Sequence, residues 1–190
     1  SVIPDINFPV PGKTDPEKVL NAIQKFNVTN IFASPVVLDI LSDYGIRNSI
    51  KLPSLKRIIT AGAPATIQLQ EKFRKLLVDE TDLFGTYGAT EALPIAKIES
   101  REIFGLKNKT ANGAGICLGK PVDGAHVRII PIGDSVIEHW QDDLEVQLNV
   151  VGEITVSGAA VTESYIARAE ATRLAKIQHQ QARARLGDSH

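Results

Sequence analysis

The sequence contains no methionine, one cysteine and one tryptophan among its 190 residues, and aromatic side chains make up only 5% of it. Each scarcity excludes something. The single thiol, Cys117, can form neither an internal disulfide nor a zinc site, and the four histidines are scattered rather than set at ligand spacing. A reducing cytoplasm is the compartment this fits. No apolar run is long enough to cross a bilayer, and the opening Ser1-Val2-Ile3-Pro4-Asp5 has neither the basic nor the apolar segment of a secretion signal. Neither sign of charge dominates, since 21 Lys and Arg face 22 Asp and Glu, so there is no bulk electrostatic case for a nucleic-acid or membrane partner. Small molecules are the expected partners. The lack of any methionine, an initiating one included, suggests a piece of a longer chain. What is present, 43% hydrophobic and 23% charged residues, is an ordinary globular composition with enough length for one sizeable core or two small ones.

Asp15 and Pro16 supply an N-cap and a first-turn proline for a helix with Val19, Leu20, Ile23 and Phe26 on one face. A strand is expected over 29–33, then a helix opened by Ser34-Pro35 and ended by Gly45, then a short buried strand over 56–61. Pro64 is expected to begin the next helix, with Leu69, Phe73, Leu76 and Leu77 as its apolar stripe, and a strand over 81–84 leads into a turn at Tyr87. Strands alternating with helices imply a parallel sheet. After about Gly113 the period becomes two, in Val127/Ile129, Leu144/Val146/Leu148 and Ile154/Val156, which reads as antiparallel strands. The expected fold class is therefore α/β: a partial parallel sheet with flanking helices followed by a small antiparallel β region. The expected parts are an α/β subdomain over 1–113, an antiparallel β subdomain over 114–162 and a helical or frayed tail over 163–190.

The densest signal is Gly85-Thr86-Tyr87-Gly88-Ala89-Thr90-Glu91, which sets a ring, two glycines, hydroxyls and a carboxylate together after an apolar stretch. That combination suits a nucleotide: Tyr87 can stack on a base, Gly88 admits close backbone approach, Thr90 can donate to a phosphate oxygen and Glu91 can hold a hard cation. The plainer reading is a glycine-bounded turn with a core tyrosine. Upstream, Ala61-Gly62-Ala63-Pro64 joins a strand to a helix through small residues that would let a flat ligand lie against backbone. Both loops follow parallel strands, at the carboxyl ends where such sheets bind ligands. Other signals are declined. Gly12-Lys13-Thr14 lacks the leading glycine of a phosphate loop, Gly113 to Gly119 misses the dinucleotide spacing, and Asp142-Asp143 beside Trp140 reads as a solvated turn.

The sequence resembles the AMP-forming adenylating superfamily, the acyl-CoA synthetases and their relatives. The resemblance rests on Tyr87-Gly88-Ala89-Thr90-Glu91, on Thr60 to Pro64 before it, and on Gly152 to Gly158, Tyr165 and Glu170-Ala171-Thr172 after it, all in the family's order. Tyr87 to Pro94 together with Gly113 to Pro121 are most similar to the fatty-acyl branch that includes the β-lactone synthetases of olefin biosynthesis.

The resemblance implies a ligase that joins a fatty acid to ATP with Mg2+, releases pyrophosphate, forms an acyl-adenylate and then passes the acyl group to CoA. An alternative is closure of a β-lactone on a 3-hydroxy fatty acid. It also implies roles: Tyr87 stacking on adenine, Gly62, Ala63, Pro64, Gly85, Thr86, Gly88 and Ala89 around the nucleotide, Thr90 on the α-phosphate and Glu91 on the magnesium. Asp188, in Gly187-Asp188, would be the ribose ligand. The family's phosphate loop with its lysine and its small carboxy-terminal domain with the adenylation lysine are not found, so the chain is expected to be an interior fragment of the large amino-terminal domain, inactive alone. A non-catalytic nucleotide-binding or interaction module is the competing reading, and a peptide-synthetase adenylation domain a third, without a candidate acidic residue for the amino group.

Overall fold

Asp15 caps the first helix: its side chain accepts from the N–H groups of Glu17 (3.1 Å) and Lys18 (3.4 Å), and Pro16 sets the opening turn of α1 (Pro16–Lys25). The computed structural model describes residues 1–4 and 9–178. Val19, Leu20 and Ile23 are buried as their spacing requires, but Phe26 is not. It is the C-cap, 55% exposed, because the helix ends at Lys25 and the chain turns at Asn27, where φ is +47°.

The strand β1 (Asn30–Ala33) leads into α2 (Pro35–Arg47), which buries Pro35, Val37, Leu38 and Leu41. Gly45 does not end this helix. It lies inside it, buried, where a side chain would collide with Leu76, and the helix runs on to Arg47. After β2 (Arg57–Thr60), the helix α3 (Ile67–Arg74) is capped by Thr66, whose Oγ1 accepts from the N–H of Leu69 at 3.2 Å. Pro64 therefore sits in the loop ahead of the helix rather than at its first position.

β3 (Asp82–Ala89) is much longer than the sequence indicates, and it folds back on β4 (Ala92–Glu99) through a two-residue turn at Thr90 and Glu91. β1, β2 and β3 pair in parallel, with Ala33, Thr60 and Gly85 in register. β4 and then β5 (Lys120–Pro121) add antiparallel, so the five-stranded sheet runs β1-β2-β3-β4-β5. Antiparallel pairing thus begins at β4, upstream of the change of period near Gly113. Between β4 and β5 lie the short helices α4 (Ser100–Phe104) and α5 (Lys107–Lys109). Leu20, Leu38, Leu41, Leu52, Leu55, Ile58, Phe73, Leu76 and Leu83 form the fully buried centre under the helices. Removing that much apolar surface from water is the main driving force for this half of the chain.

The chain divides into two compact units between Val122 and Asp123, since β5 still belongs to the first sheet. In the second unit β6 (His126–Ile130) and β7 (Glu153–Ser157) pair antiparallel over five residues. The alternating residues Leu144, Val146 and Leu148 do not form a strand. A 3-10 turn spans Asp142–Leu144, Val146 gives a single hydrogen bond to the Ile129 carbonyl (2.9 Å), and Leu148 is 91% exposed, with no core to receive it. The helix α6 (Ala169–Ala175) buries no residue, which agrees with its small apolar content.

Candidate functional site

The parallel strands deliver three polar or small positions side by side at their carboxyl ends, and a cavity of about 340 Å³ opens there in the first unit. One wall is the loop after β2, Gly62 to Ala65; the facing wall is Gly85 to Gly88 in β3; Ile98, Ile103 and Ile116 close the base. Gly62 turns the first loop with φ +90°, a left-handed conformation that costs a glycine little, and open space surrounds the point where a Cβ would stand. The two walls are tied together by the Thr86 hydroxyl, which donates to the Thr60 carbonyl at 3.0 Å. No lining residue is charged, so the slot favours a flat, largely apolar group.

Tyr87 is in the strand, not in a turn: it lies half-buried in β3 opposite Ala96 of β4 and faces the cavity. The register slips between Tyr87 and Ala89, and the residue between them must be small, because a Cβ on Gly88 would stand 2.6 Å from Leu93 Cδ1 and 3.0 Å from the Ala92 carbonyl oxygen. The cavity therefore gathers Gly62, Ala63, Pro64, Gly85, Thr86, Tyr87 and Gly88. It does not include Ala89, Thr90 or Glu91 at the hairpin tip, where Ala89 and Thr90 are exposed and Glu91 is half-buried. Asp188 lies outside the described residues.

Two buried polar residues of the site escaped the sequence reading. Thr60 and Gln70 are 1% and 2% exposed and both line the cavity. Gln70 is buried in α3 with Phe73, three residues on, so a polar residue beside the apolar stripe was the available signal. Cys117 and Leu118, from the loop before β5, complete the lining.

Beneath the hairpin a partly buried ion pair fastens β4 to α3. Arg74 Nη2 lies 2.5 Å from Glu99 Oε1, with side chains 15% and 13% exposed, and Arg74 also donates to the Thr81 carbonyl at 2.6 Å. Burial alone would raise the Glu99 carboxyl, but the Arg101 N–H, the Ser100 hydroxyl, the Leu83 N–H and the charge of Arg101 outweigh it and hold it below the usual carboxylate range. Burial and the neighbouring Arg101 lower Arg74, which nonetheless stays cationic at any ordinary pH.

Comparison with known proteins shows the family. The sequence matches the family described as AMP-binding enzyme over residues 6–166. The chain belongs to that family. It is 40% identical to the olefin β-lactone synthetase of Xanthomonas campestris and 39% identical to that of Stenotrophomonas maltophilia, in each case across 94% of its own length. It spans 31% and 32% of those two relatives, so about a third of their length. Among solved structures, the O-succinylbenzoate coenzyme A synthetase of Bacillus subtilis in complex with ATP and magnesium superimposes with a TM-score of 0.61 at 24% identity, covering 87% of this chain and 30% of that one. That likeness is one of fold.

The chain thus has the mixed α/β architecture of its family. Among its described residues no group of three or more His, Cys, Asp or Glu is arranged to hold a metal ion. A single carboxylate such as Glu91 fits magnesium only in the manner usual for that ion, which takes one or two carboxylates and completes its shell with substrate phosphates and water. Among the described residues no helix is long and apolar enough to cross a membrane.

Proposed function

We propose that the cavity receives the adenine nucleotide of an ATP-dependent carboxylate activation, and that the reaction goes on to a β-lactone. The observation that carries this is the meeting of the Gly62–Pro64 loop and the Gly85–Gly88 strand around one uncharged slot with Tyr87 in its wall. Tyr87 stacks on the base; Gly62, Ala63, Pro64, Gly85, Thr86 and Gly88 surround it; Ala89 gives the chain room to pass to the hairpin tip. Thr90 and Glu91 stand outside the apolar slot at the hairpin tip, and on this reading Thr90 would meet the α-phosphate there. Glu91 would hold magnesium, which when bound offsets the charge of the phosphates.

In the reaction a carboxylate oxygen attacks the α-phosphorus of ATP, the bond to the bridging oxygen breaks and pyrophosphate leaves. A 3-hydroxyl of the same acyl chain then attacks the acyl carbon, gives up its proton and expels AMP, closing a four-membered ring. The relatives at 39% and 40% identity carry the β-lactone synthetase name, which favours a 3-hydroxy fatty acid over a plain fatty acid with CoA as acceptor. Because those relatives are about three times longer, the cationic groups that complete catalysis are expected from parts of the protein beyond these residues. A non-catalytic nucleotide-binding module remains the reading if the chain acts by itself.

Two measurements test this. Calorimetric titration of the chain with AMP should show saturable binding that Tyr87→Ala weakens. In the longer protein, ATP with a 3-hydroxy fatty acid should yield the β-lactone, AMP and pyrophosphate; acyl-CoA formed instead, with no lactone, would return the assignment to an acyl-CoA synthetase.

A further inference from the structure

Among the described residues three buried side-chain oxygens have no hydrogen-bond partner, Ser34 Oγ, Thr60 Oγ1 and Gln70 Oε1, and two of the three line the nucleotide cavity. Buried polar atoms are nearly always satisfied, so a pair of orphans in one pocket calls for a partner that arrives with the ligand. The apolar walls formed by Ile98, Ile103 and Ile116 have no side-chain donor to offer.

Gln70 is the more informative of the two because its orientation is fixed. Its Nε2 donates to the Ala65 carbonyl at 3.0 Å, which leaves the amide oxygen as the unmet pole. Turning the amide over would set that oxygen against the Ala65 carbonyl oxygen, two acceptors facing each other, so the group presents an acceptor and cannot readily present a donor. Gln70 lines the cavity, and a Cβ on Gly85 would stand in ordinary contact with its Nε2 at 3.8 Å, so no side chain from position 85 covers the amide. Thr60, in register with Gly85, adds a second oxygen on the same side.

We propose that Gln70 selects the base of the bound nucleotide, accepting a hydrogen bond from the exocyclic amine of a 6-aminopurine and rejecting 6-oxopurines. This rests on the adenine-nucleotide reading of the cavity and adds the residue that enforces it. Adenine offers an N–H where hypoxanthine and guanine offer a carbonyl, and a carbonyl there would oppose the Gln70 oxygen with no gain on either side. Discrimination of this kind comes as much from the penalty on the wrong base as from the bond to the right one.

The test is calorimetric titration of the chain with AMP, inosine monophosphate and purine riboside 5′-monophosphate, which has hydrogen in place of the amine. The unsubstituted chain should bind AMP about tenfold more tightly than either analogue, the size expected for one hydrogen bond in a buried site. In Gln70→Leu the preference should fall below about threefold through weaker AMP binding, with the analogues held at their original affinity. Equal binding of all three by the unsubstituted chain, with Tyr87→Ala still weakening each, would overturn the role of Gln70 and leave the nucleotide site standing. No binding of any of the three would overturn both. Should Gln70→Leu fail to fold, Gln70→Met takes its place with the same expected loss of preference, and a preference of about tenfold kept in that variant would overturn the role of Gln70.

Discussion

Arg74 and Glu99 meet at 2.5 Å across the join between α3 and β4, the strand that forms one side of the Thr90–Glu91 hairpin. Arg74→Met removes the bonds to Glu99 and to the Thr81 carbonyl while Glu99 keeps Arg101 at 3.2 Å, so it should destabilise the first unit by about 1–3 kcal/mol in urea unfolding. Replacing both at once should cost less than the sum of the two single changes.

Glu99 also sets an acid dependence, through the Arg101 N–H, the Ser100 hydroxyl, the Leu83 N–H and the charge of Arg101. Because the folded-state pKa of Glu99 is depressed, its contribution to stability is present above the unfolded carboxylate value and is lost as pH falls through the folded one. Glu99→Gln should therefore be clearly less stable than the unsubstituted chain at pH 7, and the gap should narrow on acidification below the ordinary glutamate range. A gap that stayed constant to low pH would show that Glu99 contributes through shape rather than charge.

Gly88→Val places a branched side chain against Leu93 and the Ala92 carbonyl, at the point where β3 slips register on β4. The expected loss is about 1–3 kcal/mol, accompanied by loss of AMP binding because Tyr87 is the adjoining residue. Amide hydrogen exchange should rise across β3 and β4 before it rises in α1 and α2.

In the longer adenylating protein, Glu91→Gln should depress turnover and shift its magnesium requirement upward, while Tyr87→Ala should raise the ATP requirement by about fivefold or more through lost stacking. Unaltered magnesium dependence in Glu91→Gln would remove that residue from the metal site. The chain by itself should give no ATP–pyrophosphate exchange with 3-hydroxy fatty acids, and exchange above background would show that it already holds the charge-stabilising groups assigned to other parts.

Two helix starts, at Asp15-Pro16 and Ser34-Pro35, were legible because their signals are local, whereas Pro64 misled and Thr66 caps the third helix. Asp15-Pro16 and the stripe Val19, Leu20, Ile23 act within one turn of each other, and the structure follows them. The extent of β3 was not legible, because Gly85 to Gly88 has the composition of a turn and becomes a strand only through pairing with residues 92–99. The lure of Leu144, Val146 and Leu148 failed for a related reason: alternation marks a strand only when a partner and a core receive it. Of the candidate site, the small residues of the two segments stood out in the sequence, whereas Thr60, although part of the Thr60–Pro64 segment, and Gln70 were not singled out until their burial placed them in the cavity lining.

Gly45 gives the first unit an uneven mutational tolerance. Its bare backbone lets α2 close on Leu76, just past the end of α3, so the approach is set by a side chain that is not there. Alanine, ordinarily the better helix former, should be rejected at this one position while it is accepted at exposed helix positions such as Asn21. A library of point variants sorted for folded chains would show it as a sharp gap at position 45.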